Sequence, residues 1–170
     1  DRRLSRGLGD VYKRQDQARF GFVFAKRGIV PEAASSWFLP RLIGINKALE
    51  LCYTGKVISA EEAKEIRLVS EILNQDKLIE RALEISKEFT AESSQISIAL
   101  TRQMMWRMLG ADDPMEAHKI DSRAVFELGQ SGEAIEGVNS FLEKRPPSFP
   151  GKVSKDMPSF FPWWDEKEFE

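Results

Sequence analysis

Apolar residues recur at helical spacing over much of the second half of the chain. In two long stretches they follow one another at intervals of three or four residues, which places them on one face of a helix. The positions are Leu78, Ala82, Ile85 and Phe89 in the first stretch and Ile96, Leu100, Met104 and Met108 in the second. The pattern predicts two helices, each with one apolar face directed at a core or an interface.

Polar and small residues mark where helices begin and end. Ser59 and Glu62 have the spacing of a capping box, in which the hydroxyl and the carboxylate satisfy free N–H groups of a helix start. Gly55 is predicted to end a helix. Asp113 with Pro114 marks the start of a helix that runs to about Leu128, and Ser131 marks the start of the last helix.

The first third of the chain has a mixed pattern. Residues 18–24 run or alternate in apolar character and predict a short strand, and residues 68–73 predict another. Pro31 and Glu32 suit the first turn of a helix, because proline has no N–H to lose and the helix dipole favours glutamate. Pro40 should bend or end that helix. The chain is therefore predicted to be helix-rich with only short strands.

The C-terminal segment differs in composition. Residues 144–150 contain three prolines and cannot be helical, since proline lacks the N–H donor and its ring clashes with the preceding turn. Residues 157–165 hold four aromatic side chains. Stacking on nucleic acid is one use of such a cluster, but acidic residues surround it. Docking of this segment onto the chain's own body or onto a partner subunit is the favoured interpretation.

Charge is unevenly distributed along the 170 residues. The formal net charge is −2, and residues 1–15 carry five basic and two acidic residues, or +3, which leaves −5 for the rest. The net negative charge of residues 16–170 gives no reason to expect nucleic-acid binding. No stretch approaches the roughly 18 consecutive apolar residues of a membrane span, and there is no signal-peptide h-region. We therefore expect neither a nucleic-acid nor a membrane partner, and a cytoplasmic location.

Residues 1–15 have neither helix nor strand periodicity. Their sequence resembles translated adapter sequence, and we interpret them as non-native in preference to a basic binding arm. The expected organisation is a non-native segment at 1–15, a domain at 16–150 and a Pro- and aromatic-rich tail at 151–170. On this interpretation the natural sequence begins near Asp16 and is truncated on its N-terminal side.

A single cysteine and a single histidine limit the available chemistry. Cys52 cannot form an internal disulfide, and its apolar neighbours favour a buried small hydrophobe over a nucleophile. His118 lies in a charged helical stretch and cannot by itself build a His-rich zinc site. We expect no metal site.

Several short motifs together resemble a known family. They are residues 18–21 (Ala-Arg-Phe-Gly), 27–32 (Arg-Gly-Ile-Val-Pro-Glu), 53–56 (Tyr-Thr-Gly-Lys), 59–63 (Ser-Ala-Glu-Glu-Ala) and 141–145 (Phe-Leu-Glu-Lys-Arg). In this order and spacing they resemble the C-terminal portion of a crotonase-superfamily protein, of the enoyl-CoA hydratase/isomerase family. The resemblance implies an α/β fold, a spiral of ββα turns followed by a helix-rich trimerisation region with only short strands.

The resemblance also implies a substrate and a chemistry. Family members bind an acyl-CoA thioester and stabilise an enolate-like oxyanion with backbone N–H donors, while a carboxylate moves a proton. No separate cofactor is expected, because CoA is part of the substrate. The donors belong, by resemblance, to a part that precedes residue 18, so we expect this chain to be inactive alone and the intact protein to be a homotrimer or a dimer of trimers.

Departures from the family pattern indicate which reaction is catalysed. Hydratases carry a Pro-Glu pair after the Ala-x-Phe-Gly motif, whereas this chain has Val23 and Phe24. Glu32 after Pro31 matches the catalytic base of one class of Δ3,Δ2-enoyl-CoA isomerases. The resemblance therefore implies a single-glutamate isomerase. The alternatives are a hydratase-like protein of altered specificity, a non-catalytic trimeric homologue, and an ordinary exposed Glu32 at a helix start.

The remaining candidate residues surround the base or lie at the far end of the chain. Phe24, Ile29, Pro31 and Trp37 are expected to contact the substrate near Glu32. By resemblance, Phe141 and Lys144 approach the adenine and phosphate groups of CoA; the alternative is an amphipathic helix end with a C-terminal cation.

Overall fold

The computed structural model of the protein describes the backbone of residues 13–15 and all of residues 18–168. The chain divides into two compact units, Asp1–Glu84 and Ile85–Glu170. The interpretation of residues 1–15 as non-native falls outside the described residues, apart from Lys13–Gln15. That segment forms a short strand, which its sequence pattern does not predict.

Together with two 3-10 turns, the described residues of the first unit form four short strands and three complete α-helices. They are β1 (Lys13–Gln15), β2 (Arg19–Gly21), α1 (Ser35–Ile43), α2 (Ile45–Thr54), β3 (Val57–Ser59), α3 (Ala60–Glu65) and β4 (Glu71–Leu73), followed by the start of α4 (Leu78–Thr90). β1 pairs in parallel with β4, and β2 pairs antiparallel with β3. The predicted strands at 18–24 and 68–73 are confirmed but shorter than expected.

The core of the first unit forms where α2, β3 and α3 meet. Leu51, Ile58, Ala63 and Val69 are buried there, with Phe20 packed against them. The predicted capping box is confirmed, because the Glu62 N–H donates to Ser59 Oγ at 3.2 Å and the Ser59 N–H donates to Glu62 Oε2 at 3.0 Å. The predicted helix end at Gly55 is also confirmed, with φ at 52° and its N–H bonded to the Leu51 carbonyl. The glycine that ends α2 and the capping box that starts α3 thus set the course of the backbone on either side of β3.

The predicted start of α1 is wrong. Pro31 and Glu32 lie outside the helix, which begins at Ser35. Ala33 and Ala34 adopt φ values of 52° and 55° in the left-handed region and interrupt the helical backbone. Pro40 lies inside α1 and does not end it.

The second unit is made of helices and an extended tail. After α4 come α5 (Gln95–Met108), α6 (Pro114–Gly129) and α7 (Gly132–Glu143). Asp113 caps α6 as predicted, with the Met115 N–H donating to its carboxylate at 2.7 Å. Ser131 stands at the N-cap of α7, but its hydroxyl donates back to the Leu128 carbonyl at 2.6 Å. Within residues 18–168, no helix combines the length and apolar character needed to cross a membrane.

The tail docks onto helices of its own unit, which confirms one of the two docking interpretations. Phe160 is buried in a cluster with the apolar faces of α5 and α6. The Ser159 N–H donates to the Glu127 carboxylate at 3.0 Å, and the Gly151 N–H donates to the buried Glu133 carboxylate at 2.8 Å. Residues 144–150 are not helical, as the prolines predict.

A carboxylate on α7 anchors the beginning of the tail. Arg145 donates two hydrogen bonds to Glu136, at 2.6 and 2.9 Å, and the Ser148 N–H adds a third at 2.6 Å. These donors lower the pKa of Glu136 from its ordinary value near 4.5 to about 2, chiefly through the bond from Arg145.

This pKa predicts a pH-dependent contribution of Glu136 to stability. A group whose pKa is depressed on folding stabilises the fold above its unfolded pKa, and that stabilisation is lost as pH falls towards the folded pKa. The stability difference between the wild type and Glu136→Gln should therefore be full at neutral pH and shrink between about pH 4.5 and about pH 2. Denaturant titrations at several pH values measure it. A difference that stays constant across this window would contradict the prediction.

Candidate functional site

A cavity lies in the first unit beside the segment that carries Glu32. Its volume is about 270 Å³. The lining residues come from the loop before α1, from α1 itself and from α2. They are Phe24, Ala25, Ile29, Val30, Pro31, Ser35, Ser36, Leu39, Pro40, Ile45, Ala48, Leu49, Cys52 and Tyr53. None of these side chains, all of which the structure describes, carries a formal charge at neutral pH, so the cavity suits a hydrocarbon group.

The residues that line the cavity differ in exposure: those at its floor are buried, and those at its rim are exposed. Leu39 and Ala48 are 4% and 5% exposed, whereas Val30 and Tyr53 are 78% and 71% exposed. The buried pair comes from α1 and α2, which pack against each other. An apolar group that enters from the rim therefore meets a closed wall where the two helices touch.

Cys52 borders this cavity and is half-buried, which corrects the expectation of a fully buried residue. Burial raises the pKa of the Cys52 thiol above its ordinary value. Because the thiolate is the nucleophilic form, the thiol behaves here as an apolar wall group.

Glu32 is not a lining residue of the cavity, but in sequence it lies between two that are. Pro31 on one side of it and Ser35 on the other are both lining residues, and the Glu32 side chain is exposed. Its main-chain carbonyl accepts bonds from the Ser35 N–H at 3.0 Å and from Ser35 Oγ at 2.6 Å. The backbone of Glu32 is thereby fixed to the first turn of α1, while its carboxylate stays accessible to a ligand.

Two strained residues separate Glu32 from α1. Ala33 and Ala34 both have φ in the left-handed region, where Cβ crowds the following carbonyl oxygen at a cost of roughly 1–2 kcal/mol per residue. Strain of this kind collects at functional sites, where it holds a group in a required position. The double-alanine turn is therefore an independent sign that the position of Glu32 matters.

Glycine at Ala34 should stabilise the chain. Because glycine adopts positive φ without a Cβ penalty, Ala34→Gly should raise the free energy of unfolding by about 1 kcal/mol. Ala82→Gly, at an exposed site inside α4, is the matched control and should lower it by about 1 kcal/mol. Denaturant unfolding measures both. Equal destabilisation by the two substitutions would show that Ala34 is not strained.

The structure brings three of the predicted binding residues together. Phe24, Ile29 and Pro31 all line the cavity, next to Glu32. Trp37 is near in sequence but is not a lining residue. The Arg41 guanidinium stacks over its ring at 4.0 Å, and the ring meets Phe38 edge-on at 4.7 Å.

Phe141 and Lys144 belong to the second unit. They lie at the C-terminal end of α7, where the Lys144 N–H donates to the Phe141 carbonyl at 3.3 Å and Lys144 has φ of 55°. Both side chains are exposed, Phe141 by 81%. An exposed aromatic ring beside a cation suits a base and a phosphate, and it equally suits an ordinary helix end. His118 is exposed on α6. Among the described residues, no three His, Cys, Asp or Glu side chains form a group that could hold a metal ion.

Sequence reasoning missed the α2 side of the cavity. Ile45, Ala48, Leu49, Cys52 and Tyr53 lie at intervals of three, one, three and one, which is the signal of one helix face. The sequence predicts burial only for Cys52 of this face, and α2 does bury Leu51 on its other face. The signal was present, but a core face and a ligand face have the same periodicity.

Comparison with known proteins agrees with the resemblance of the motifs. The sequence model of the enoyl-CoA hydratase/isomerase family matches residues 8–152. The chain is 42% identical to the enoyl-CoA hydratase ACTT3 of Alternaria alternata over 135 residues, which are 79% of this chain and 45% of that protein. It is 28% identical to the 1,2-epoxyphenylacetyl-CoA isomerase of Escherichia coli K12, covering 85% of this chain and 54% of that protein.

A solved structure shows the same fold. The enoyl-CoA hydratase of Bacillus anthracis matches with a TM-score of 0.77 and 31% identity over 84% of this chain and 55% of that one. The expected crotonase-like, helix-rich fold with short strands is confirmed. The chain spans about half the length of the relatives it matches. From the extent of the family match, this chain belongs to the enoyl-CoA hydratase/isomerase family.

Proposed function

We propose that the protein containing this chain shifts the double bond of an enoyl-CoA thioester, with Glu32 as the proton shuttle. The observation that carries the proposal is the accessible carboxylate of Glu32, which follows the lining residue Pro31 beside a cavity lined by uncharged side chains. Phe24, which takes the place of the second hydratase glutamate by resemblance, contributes to that lining. The name of the Escherichia coli relative, 1,2-epoxyphenylacetyl-CoA isomerase, shows that proteins similar to this chain include an isomerase of an acyl-CoA thioester, although its substrate is an epoxide.

The proposed reaction needs one base. The Glu32 carboxylate removes a proton from C2 of a 3-enoyl-CoA, and the electron pair delocalises onto the thioester oxygen and C4. The protonated Glu32 then returns the proton to C4, which leaves the double bond between C2 and C3. Backbone N–H donors stabilise the oxyanion in relatives, and each such donor is worth about 10²–10³ in rate.

The strained turn holds the backbone of Glu32 in one position during the proposed proton transfer. The carbonyl of Glu32 is held by Ser35, and the left-handed alanines set the direction in which the chain leaves. A base that serves two carbon atoms must reach both from one backbone position. The fixed backbone and the exposed side chain together meet that requirement, because only the carboxylate has to move.

Hydration is the second candidate, and the relatives favour it. Enoyl-CoA hydratases of Alternaria alternata are 41–42% identical to this chain. Adding water to a double bond needs a group that orients water and a group that moves the proton, and phenylalanine at position 24 can do neither. Hydration by this protein would need another group, in place of Phe24, that orients water or moves the proton.

Parallel assays of the full-length protein distinguish the two functions. A 3-enoyl-CoA should be converted to the 2-enoyl-CoA, which is detected as the conjugated thioester by its ultraviolet absorbance. A 2-enoyl-CoA in water should give little 3-hydroxyacyl-CoA. Rapid hydration without isomerisation would overturn the proposal in favour of the hydratase. The 170-residue chain, assayed alongside, tests the expectation that it is inactive alone.

We further propose that the full-length protein assembles as a homotrimer through its helical region. Ile135, Val138 and Leu142 lie at intervals of three and four on α7 and are 56–70% exposed, which leaves one apolar face of this helix accessible. Light scattering of the full-length protein measures the assembly. A monomer at micromolar concentration would contradict the trimer.

A further inference from the structure

We propose that Ser148 is a phosphorylation site for an ATP-dependent serine kinase that recognises Arg145, and that the phosphate releases the start of the tail from α7. The inference does not depend on the proposed reaction, because it concerns the segment after α7 and not the residues around Glu32. In the transfer, Ser148 Oγ bonds to the γ-phosphorus of ATP and the bond from that phosphorus to the β-phosphate oxygen breaks. ADP leaves, and the hydroxyl proton passes to the base of the kinase.

The hydroxyl of Ser148 is available as the acceptor. Ser148 is exposed, and residues 146–150 around it form neither helix nor strand. Within the described part of the chain, its backbone N–H is bonded to Glu136 but its hydroxyl has no hydrogen-bond partner. The hydroxyl of Ser159, by contrast, donates to the Glu127 carboxylate at 3.0 Å. A kinase therefore reaches the oxygen of Ser148 without breaking a bond that this oxygen makes.

Prolines keep the segment around Ser148 extended. Pro146, Pro147 and Pro150 each fix their own φ near −65° and push the residue before them out of the helical region. A kinase binds its substrate as an extended chain across the mouth of its active site. Because this segment is already extended, little conformational freedom is lost when it binds there.

Arg145 supplies the recognition element. It lies three residues before Ser148, and its side chain is 40% exposed. Kinases that select basic substrates bind a guanidinium at this spacing with their own carboxylates, which the planar fork of arginine matches with paired hydrogen bonds. Arg145 Nη1 and the Ser148 N–H both lie 2.6 Å from the same oxygen, Glu136 Oε1. The guanidinium and the acceptor residue are therefore neighbours in space as well as in sequence.

This anchor lies away from the exposed apolar face of α7, which contains Ile135, Val138 and Leu142. Each residue advances about 100° around a helix, which places Glu136 about 130° from the middle of that face. Assembly through the apolar face would therefore leave the Glu136 side of α7, where the tail begins, accessible to a kinase.

The phosphate would act on the anchor at Glu136. Arg145 donates to two carboxylates, Glu136 and Glu143, so these three side chains together carry one net negative charge. A phosphate adds about −1.5 to −2 charges at pH 7 and offers Arg145 an acceptor that also suits its planar fork. Repulsion between the phosphate and Glu136, together with competition for Arg145, weakens the hold of Glu136 on the Ser148 N–H. Phosphorylation therefore frees the first residues of the tail.

Phosphorylation of the full-length protein in vitro tests the acceptor. Purified calmodulin-dependent protein kinase, which reads arginine three residues before serine, should transfer phosphate from ATP, and mass spectrometry should locate it at Ser148. Ser148→Ala should lower incorporation at least tenfold. Ser154→Ala, at an exposed tail serine with Gly151 three residues before it, should leave incorporation within twofold. A wild type that takes up no phosphate, or incorporation that survives Ser148→Ala, would overturn the assignment.

Arg145→Lys tests recognition. Lysine keeps the charge but lacks the planar fork, so the initial rate should fall at least fivefold. Arg102→Lys, at an exposed arginine of α5, is the matched control and should leave the rate within twofold. Loosening of the tail by Arg145→Lys would expose Ser148 further and raise the rate, so a fall reports recognition and not altered stability. An unchanged or higher rate would refute the role of Arg145.

Amide hydrogen exchange of the phosphorylated protein tests the release. The N–H groups of Ser148 and Gly151, which donate to Glu136 and Glu133, should exchange at least tenfold faster than in the unmodified protein. Amides in the middle of α7 should stay within twofold, and a phosphatase should restore the original rates. Unchanged exchange at Ser148 and Gly151 after stoichiometric phosphorylation would show that the phosphate does not open the anchor.

Discussion

Replacing Glu32 by glutamine should lower kcat for the isomerisation of a 3-enoyl-CoA by at least about 100-fold in the full-length protein, since a positioned base contributes about 10²–10⁴. Glutamine keeps the size and the hydrogen-bonding capacity of the side chain but cannot accept and return a proton. KM should change little, because Glu32 itself is not among the residues that line the cavity.

The control for this variant is Glu65→Gln. Glu65 is exposed at the end of α3 and is not a lining residue of the cavity. Its replacement makes the same change in charge within the same unit and should leave kcat within twofold. If Glu32→Gln retained most of its activity, or if both variants lost activity equally, Glu32 would not be the proton shuttle.

Helix boundaries with a local cause were predictable from the sequence. The capping box at Ser59, the glycine end at Gly55 and the Asp113 cap each depend on atoms within a few residues of one another. The apolar face of α5 followed from periodicity in the same way, because Ile96 and Leu100 are buried, whereas the face predicted for α4 buries none of its residues within its unit. Interactions between residues a few positions apart depend only on a short stretch of sequence, and so the sequence pattern alone identifies them.

Features that depend on distant partners were not predictable. β1 pairs with β4 and β2 with β3, across about 40 to 60 positions of sequence, and each strand is only three residues long. A three-residue strand has too few positions for an alternating pattern. The sequence therefore indicates two of the four strands that the structure describes and none of their pairings.

The sequence predicted only those residues of the candidate site that lie in the loop before α1. The motif that contains Pro31 and Glu32 marked the loop, and Phe24 and Ile29 do line the cavity with Pro31. The left-handed turn after Glu32 was missed because alanine rarely adopts positive φ, and nothing in its side chain signals the conformation. The cavity itself arises from the packing of α1 against α2, which no local pattern reports.

The aromatic composition of the tail predicts that it docks onto the chain or onto a partner. The structure shows which residues it contacts. Phe160 is 4% exposed and packs with Ile96, Leu100 and Ala124. The Arg123 guanidinium lies 5.1 Å from its ring centroid, and Trp163 lies 6.0 Å from it. The ring of Phe160 thus closes a core that helices α5 and α6 leave open.

Truncation of this ring should produce the largest loss of stability among the variants considered. Phe160→Ala removes a buried aromatic side chain and leaves a cavity between the tail and α5, which typically costs about 3–5 kcal/mol. Denaturant unfolding of the 170-residue chain, followed by fluorescence of its four tryptophans, measures the loss; two of them, Trp163 and Trp164, lie in the tail.

The matched control is Phe126→Ala, which makes the same truncation on α6 at a side chain that is 69% exposed. Surface substitutions usually change stability by less than about 0.5 kcal/mol, so the two variants should differ by several kcal/mol. A tail that merely lies on the surface would make them equivalent. Equal midpoints of unfolding would therefore contradict the docking of the tail. A large loss for Phe160→Ala alone would show that residues beyond 150 are part of the folded unit and belong in any expressed form of this chain.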